Sequence, residues 1–103
     1  MTYTCNTGII MIKNFADKET KKIYDQEFSR KLPQDIQHIA LRKLILIDKA
    51  STLDDLRVPP ANRLEQLSGN RKGQYSIRIN QQYRICFRVE NNNFYDVEIV
   101  DYH

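Results

Sequence analysis

Apolar residues recur at helical spacing between residues 34 and 49, and this is the most regular pattern in the chain. Five of them would share one helical face: Ile36, Ile39, Ala40, Leu44 and Ile47. Pro33 stands just before this stretch, where proline is tolerated because the first helical N–H groups have no partner within the helix. The pattern predicts a helix from Gln34 to about Lys49.

The region before this helix predicts a first strand over residues 9–15 and then a shorter helix. Asp17 is a suitable N-cap residue, and the shorter helix should extend to about Phe28. Its apolar side would carry Ile23, Tyr24 and Phe28. Residues 52–57 predict one more helical turn, which the proline pair at 59–60 should end.

From residue 74 onwards, apolar and polar residues alternate in the stretches 74–79, 83–89 and 94–102. Such alternation is typical of antiparallel strands with one buried face. We interpret residues 80–82 and 91–93 as three-residue loops, and this choice fixes the register of the strands. Apolar residues then face one another throughout: Ile79 with Tyr83, Ile77 with Ile85, Tyr75 with Phe87, Phe87 with Val97, and Ile85 with Ile99. The chain therefore predicts a three-strand meander.

The same register places two arginines opposite each other on the other face of the sheet. Arg78 faces Arg84, and Arg84 in turn faces Val100, with Tyr102 as a diagonal neighbour. Like charges directly opposite each other are destabilising, so this pair favours a shared anion. The anion is either Glu98, which lies on the same face, or a phosphate group, whose oxygens fit the guanidinium fork.

Basic residues are concentrated between positions 57 and 88, where seven Lys or Arg side chains accompany a single acid, Glu65. Residues 89–103 carry only acidic charges. A concentrated positive block indicates a polyanionic partner, although a solvated basic face gives the same pattern.

The length of 103 residues fits one domain. Residues 1–10 are polar and carry no pattern, so we expect a flexible extension followed by a single domain over residues 11–103. Cys5 and Cys86 are too few for a disulfide framework. No signal peptide or membrane span is apparent, so we expect a cytoplasmic protein that does not contact a membrane.

Metal and nucleophile motifs are missing from the sequence. His38 and His103 have no paired ligands nearby, and no Ser or Cys sits beside a His in a nucleophile arrangement. We therefore expect neither a metal nor another cofactor. The chain ends in Asp101, Tyr102 and His103, directly after a core strand, and an imidazole is suited to proton transfer near neutral pH.

Two segments resemble the HigB toxins, including the GraT-like branch of that family. They are residues 63–87, RLEQLSGNRKGQYSIRINQQYRICF, and the ending 97–103, VEIVDYH. The opening MIKNF of residues 11–15 is also similar to the usual start of the family, so the resemblance covers residues 11–103.

The resemblance implies a RelE-like α+β fold, with two N-terminal helices packed on a curved, mainly antiparallel sheet that ends in a three-strand meander. It implies cleavage of mRNA in the ribosomal A site and neutralisation by a HigA-type helix-turn-helix antitoxin. Operator DNA would be contacted only through that antitoxin. The basic residues expected to contact RNA are Arg63, Arg71, Lys72, Arg78 and Arg88.

Within this resemblance, Arg84 matches the phosphate-stabilising arginine of the family, and residues 101–103 match its C-terminal catalytic run. The chain departs from the pattern where some members carry a His and, three residues later, a Lys. It has Glu65 and Ser68 at these positions. Glu65 is therefore an alternative general base.

The expected chemistry is metal-independent internal transesterification, in which the RNA 2′-OH attacks the adjacent phosphate. His103 or Glu65 would be the base and His103 or Tyr102 the acid, while Arg84, helped by Arg78 or Arg71, stabilises the developing charge. Two alternatives remain: a ParE-like toxin that binds gyrase, and a non-catalytic module that binds RNA or the ribosome. A ParE-like toxin should lack the histidine at the end of the last strand.

Overall fold

The computed structural model describes residues 11–102, in which two helices precede a four-stranded antiparallel sheet. The helices are α1 (Lys18–Tyr24) and α2 (Gln34–Lys49). The strands are β1 (Glu65–Gln66), β2 (Gln74–Arg78), β3 (Tyr83–Glu90) and β4 (Asn93–Asp101), in the order β1-β2-β3-β4. Short 3₁₀ turns span Leu53–Arg57, Pro60–Asn62 and Gly69–Arg71. The expected α+β fold is confirmed.

Helix α2 has the predicted bounds, and its apolar face forms one side of the core. Ile36, Ala40, Leu44 and Ile47 are buried, and Ile39 is half-buried at the edge of the same face. Across the core they meet the apolar face of the sheet, where Ile77, Ile85, Phe87, Phe94 and Val97 have no exposed surface. Within residues 11–102, no helix is long and apolar enough to cross a membrane.

Helix α1 begins where predicted but ends earlier. The Asp17 carboxylate caps it by accepting a hydrogen bond from the Thr20 N–H at 3.3 Å. The helix ends at Tyr24, and Gln26 then adopts a left-handed φ of 65°, which turns the chain away from the helix axis. The predicted extension to Phe28 is therefore wrong, and the Phe28 side chain is 60% exposed.

The meander between β2 and β3 has the predicted register. Tyr75 pairs with Phe87, Ile77 with Ile85, and Arg78 with Arg84. The predicted pairing of Ile79 with Tyr83 is marked by a 2.9 Å hydrogen bond from the Ile79 N–H to the Tyr83 carbonyl.

The hairpin between β3 and β4 reaches the predicted register by another route. Its turn has two residues, Asn91 and Asn92, both with positive φ, as in the tight turns that suit twisted strands. The predicted three-residue loop is therefore wrong. The missing residue is supplied by a bulge near Asp96, whose φ is 54°, and beyond the bulge Ile85 pairs with Ile99 as predicted.

The bulge explains two features of the core. Phe94 and Val97 are three positions apart, and both can face the core because the extra residue lies between them. The predicted pairing of Phe87 with Val97 falls in the irregular stretch between Cys86 and Arg88, where no regular pair forms. Phe87 instead packs edge-on against Phe94, with 5.3 Å between ring centroids.

In residues 11–15, the described part of the predicted first strand, the structure has two isolated parallel bridges to β4 in place of a regular strand: Ile12 with Phe94 and Phe15 with Val97. These partners flank the bulge, which interrupts a continuous ladder. Residues 1–10 lie outside the described residues, and with them the predicted extension. The Asp48 carboxylate on α2 holds the described start by accepting hydrogen bonds from the Met11 and Ile12 N–H groups.

Candidate active site

Arg84, near the middle of the sheet, has its guanidinium group held by two fixed acceptors. Its Nε donates a hydrogen bond to Ser76 Oγ at 2.7 Å, and its Nη2 donates to the Arg63 carbonyl at 2.6 Å. Ser76 is fully buried on the neighbouring strand β2, and the Arg84 side chain is only 11% exposed. The guanidinium is therefore oriented before any ligand binds.

The Arg63 carbonyl is placed by the turn that precedes it. Arg63 has a left-handed φ of 47° and follows the 3₁₀ turn Pro60–Asn62. The Asn62 side chain is fully buried, and its amide donates hydrogen bonds to the carbonyls of Leu56 and Val58 at 3.1 and 3.3 Å. A left-handed non-glycine residue is disfavoured, and it persists because the surrounding contacts hold it.

Strand β1 brings an acid to this arginine. Glu65 pairs with Ser76, and its carboxylate Oε1 lies 3.8 Å from Arg84 Nη2, with 57% of the Glu65 side chain exposed. Sequence reasoning did not predict β1, because a two-residue strand carries no periodic signal. Glu65 therefore reaches the site through an element that only the tertiary structure reveals.

Tyr102 lies on another side of the same guanidinium. The Arg84 Cζ atom is 5.8 Å from the centroid of the Tyr102 ring, which is a cation–π distance, and Tyr102 is 41% exposed. The Tyr102 N–H donates to the Gln82 carbonyl at 2.6 Å, which extends the hydrogen bonding of β4 by one residue. Of the predicted catalytic residues, Arg84, Glu65 and Tyr102 thus come together.

Asp101 and His103 are the two other members of the C-terminal run. The Asp101 carboxylate accepts a hydrogen bond from Gln82 Nε2 at 3.1 Å, so it ties the chain end to the loop before β3. Asp101 also borders a shallow cavity of about 330 Å³ together with Arg71, Val100 and Tyr102. His103 lies outside the described residues.

Arg71 and Arg78, the predicted helpers of Arg84, turn to other partners. Arg71 pairs with the Glu98 carboxylate at 3.2 Å and donates to Gln74 Oε1 at 2.9 Å. Arg78 Nε donates to the Asn80 carbonyl at 3.1 Å. Glu98 is thus the partner of Arg71, and the carboxylate beside Arg84 is Glu65.

Arg88 is the least available of the predicted RNA-binding residues. Its Nε and Nη1 atoms donate hydrogen bonds to Asp96 and Glu90, both at 2.8 Å, and these contacts raise the pKa of Arg88. Lys72 and Arg63 are exposed, and neither forms an ion pair within residues 11–102.

The arrangement around Arg84 combines a carboxylate, a guanidinium and a phenol. These groups can accept a proton, stabilise an anion and donate a proton, which is the set that general acid–base cleavage of a phosphodiester requires. In the part of the chain that the structure describes, no three His, Cys, Asp or Glu side chains cluster as ligands for a metal. Sequence reasoning missed Ser76, which looked like an ordinary polar position in an alternating strand.

The family described as "RelE-like toxin of type II toxin-antitoxin system HigB" matches residues 13–103. The chain is 44% identical over 79 residues to Toxin HigB-1 of Vibrio cholerae serotype O1, covering 76% of this chain and 83% of that protein. It is 33% identical over 94 residues to Endoribonuclease HigB of Proteus vulgaris, covering 90% of this chain and 100% of the relative. The YoeB-YefM complex from Staphylococcus aureus matches in fold with a TM-score of 0.57 at 22% identity, over 91% of this chain and 97% of that one.

Proposed function

The chain belongs to the HigB family of RelE-like toxins of type II toxin–antitoxin systems, and on that premise we propose that it is an endoribonuclease that cuts messenger RNA on the ribosome. The relative from Proteus vulgaris that carries the name Endoribonuclease HigB supports the reaction class. The observation that carries the proposal here is the oriented guanidinium of Arg84 between a carboxylate and a phenol.

Arg84 is the charge-stabilising group of the proposed reaction. Cleavage moves negative charge onto the oxygens of the scissile phosphate, and a donor already aimed at that position needs no reorganisation when the charge develops. The hydrogen bonds to Ser76 and to the Arg63 carbonyl hold the guanidinium in that orientation. Glu65 stands close enough to hold the guanidinium in the absence of substrate, and its exposed carboxylate can separate when a phosphate arrives.

The proposed step is an internal transesterification that needs no metal. The RNA 2′-oxygen forms a bond to the adjacent phosphorus, and the bond from phosphorus to the 5′-oxygen breaks. The general base, Glu65 or His103, takes the 2′ proton, and the general acid, Tyr102 or His103, protonates the leaving 5′-oxygen. The products are a 2′,3′-cyclic phosphate on one fragment and a 5′-hydroxyl on the other.

We propose further that a HigA-type antitoxin neutralises this chain and that operator DNA is bound only through the antitoxin. The type II description of the family supports an antitoxin partner in general. Because the proposed target is mRNA on ribosomes, the protein would act in the cytoplasm. Residues 11–103 would form the toxin domain, and residues 1–10 an extension that the reaction does not need.

Cleavage by wild type, Arg84→Ala and Arg84→Lys on ribosomes programmed with a defined mRNA tests the catalytic proposal. Loss of one preorganised donor should lower the rate about 10²–10³-fold, and lysine should restore little because it lacks the planar fork. Arg57→Ala is the matched control, since Arg57 is an exposed arginine whose Nε pairs with Asp54 at 2.9 Å. It should cleave normally.

Thermal melting of each variant separates catalysis from folding. Near-normal cleavage by Arg84→Ala would refute the site, and a lost melting transition would show that Arg84 is structural instead. Glu65→Gln and His103→Ala are assayed over a range of pH. The general base is the residue whose replacement removes the fall in rate at acidic pH, where the base becomes protonated. Wild-type protein that binds ribosomes without producing cyclic-phosphate ends would favour the non-catalytic alternative.

A further inference from the structure

Four cationic side chains line a cleft of about 360 Å³ between α2 and the end of β2. We call this the basic cleft. Its charged residues are Arg42, Lys43, Arg63 and Arg78. Ile39, Ala61, Ile79 and Asn80 complete the lining, so no acid is among the lining residues. Within residues 11–102, none of the four cations forms an ion pair.

Lys43 is held in this cleft by a buried partner. Its ammonium group donates a hydrogen bond to Oδ1 of Asn62, the fully buried side chain that also organises the turn before Arg63. Burial of the ammonium group, and then the neighbouring charge of Arg42, lower the pKa of Lys43. The cation is thus held beside like charges without a counter-charge, and a bound anion would relieve that repulsion.

The basic cleft is continuous with the candidate active site through two residues. The backbone carbonyl of Arg63 accepts a hydrogen bond from Arg84, while Arg63 also lines the cleft. Arg78 pairs with Arg84 across the sheet and lines the cleft as well. A polyanionic strand that continues from Arg84 along Arg63 and Arg78 would reach the part of the cleft lined by Arg42 and Lys43.

We propose that the basic cleft binds a phosphodiester group of the RNA strand next to the scissile one, with Arg42 and Lys43 of α2 as its additional ligands. The inference rests on the proposed function, because the RNA enters the cleft from Arg84. Guanidinium groups fit phosphate oxygens, and a continuous backbone delivers phosphates at regular spacing. An acidic protein segment offers comparable charge, but it does not carry the regularly spaced phosphates that would contact both the cleft and Arg84.

Binding of a 2′-O-methylated single-stranded RNA tests the inference, since the blocked 2′-oxygen prevents cleavage during the measurement. The probe is a 12-nucleotide strand, and its affinity is measured over a series of salt concentrations for wild type and Arg42→Gln/Lys43→Gln. Each lost phosphate contact reduces the slope of log affinity against log salt by about 0.7, so the double variant, which loses the one phosphate bound in the cleft, should lose about 0.7. Its affinity at low salt should fall about tenfold to a hundredfold.

Arg30→Gln/Lys31→Gln is the matched control, because it removes the same two residue types from an exposed segment between the helices. It should keep the wild-type slope, because it removes no phosphate contact. Arg42→Glu is a second test variant, since Arg42 is exposed and its replacement opens no cavity in the core. Arg42→Glu should melt like wild type and still lose affinity.

Equal slopes for the Arg42→Gln/Lys43→Gln variant and the control would overturn the inference. So would an Arg42→Gln/Lys43→Gln variant that loses affinity for a glutamate-rich peptide while its RNA affinity is unchanged. These outcomes leave the catalytic proposal standing if Arg84→Ala still lowers the cleavage rate about 10²–10³-fold. Conversely, RNA binding that depends on Arg42 and Lys43, in a protein that cleaves no RNA, would support the cleft and refute the catalytic proposal.

Discussion

Replacing Ser76 by alanine should weaken catalysis without removing a group that touches RNA. The substitution deletes the Oγ atom that accepts a 2.7 Å hydrogen bond from Arg84 Nε at a fully buried position. Hydrogen bonds to charged groups contribute about 1.5–3 kcal/mol. The 2.6 Å contact to the Arg63 carbonyl remains and still orients the guanidinium. We therefore expect the transition state to lose stabilisation at the lower end of that range, which corresponds to about a tenfold fall in kcat.

The assay follows kcat and KM for mRNA cleavage on ribosomes, together with thermal melting. Ser76→Cys is the matched control for packing, since sulfur fills the same position but is a weak hydrogen-bond acceptor. If Ser76 positions Arg84, both variants should lose kcat with little change in KM, and Ser76→Cys should melt closer to wild type than Ser76→Ala. Unchanged kcat in both variants, with Arg84→Ala inactive, would refute the positioning role.

Three further predictions concern the rest of the chain. Removing residues 1–10 should leave growth inhibition and the melting temperature unchanged, and a marked drop in melting temperature would place that segment in the core. Folding lowers the pKa of Asp96 from its ordinary value of 3.8, chiefly because its carboxylate accepts a hydrogen bond from Arg88. The ionised carboxylate therefore stabilises the fold at pH values above 3.8, and this contribution is lost as the pH falls below 3.8. Asp96→Asn should therefore flatten the acid end of the curve of unfolding free energy against pH, whereas equal acid losses in both proteins would contradict this. Burial raises the pKa of Cys86, so in a Cys5→Ser background a thiol reagent should modify it only at the rate of unfolding, and fast labelling of the native protein would count against the buried position.

The sequence alone was sufficient where structure is set by local periodicity. Helix α2 has the bounds that its apolar spacing predicted, because a one-sided apolar helix has only one face to bury. The pairing of Arg78 with Arg84 followed from alternation, since a one-residue slip would expose every apolar side chain of β2 and β3. The family resemblance then predicted a catalytic role for Arg84 and for the C-terminal run, residues 101–103.

The partners of Arg84 were decided only by the tertiary structure. Glu65 arrives on a two-residue strand, Ser76 is a buried hydroxyl in an ordinary alternating strand, and the Arg63 acceptor is a backbone carbonyl aimed by a left-handed residue. The sequence pattern does not reveal any of these contacts, because each joins Arg84 to a different segment of the chain.

The sequence pattern likewise did not predict the bulge at Asp96 or the basic cleft. An inserted residue has no signature until the facing strand is known, and it corrected the register that a shorter turn would otherwise have shifted. Arg42 and Lys43 look like part of the solvated side of a helix until Asn62 and the end of β2 are placed beside them. Local periodicity determined helix α2 and strands β2, β3 and β4 of this protein, and contacts between separate segments determined which charged groups share a site.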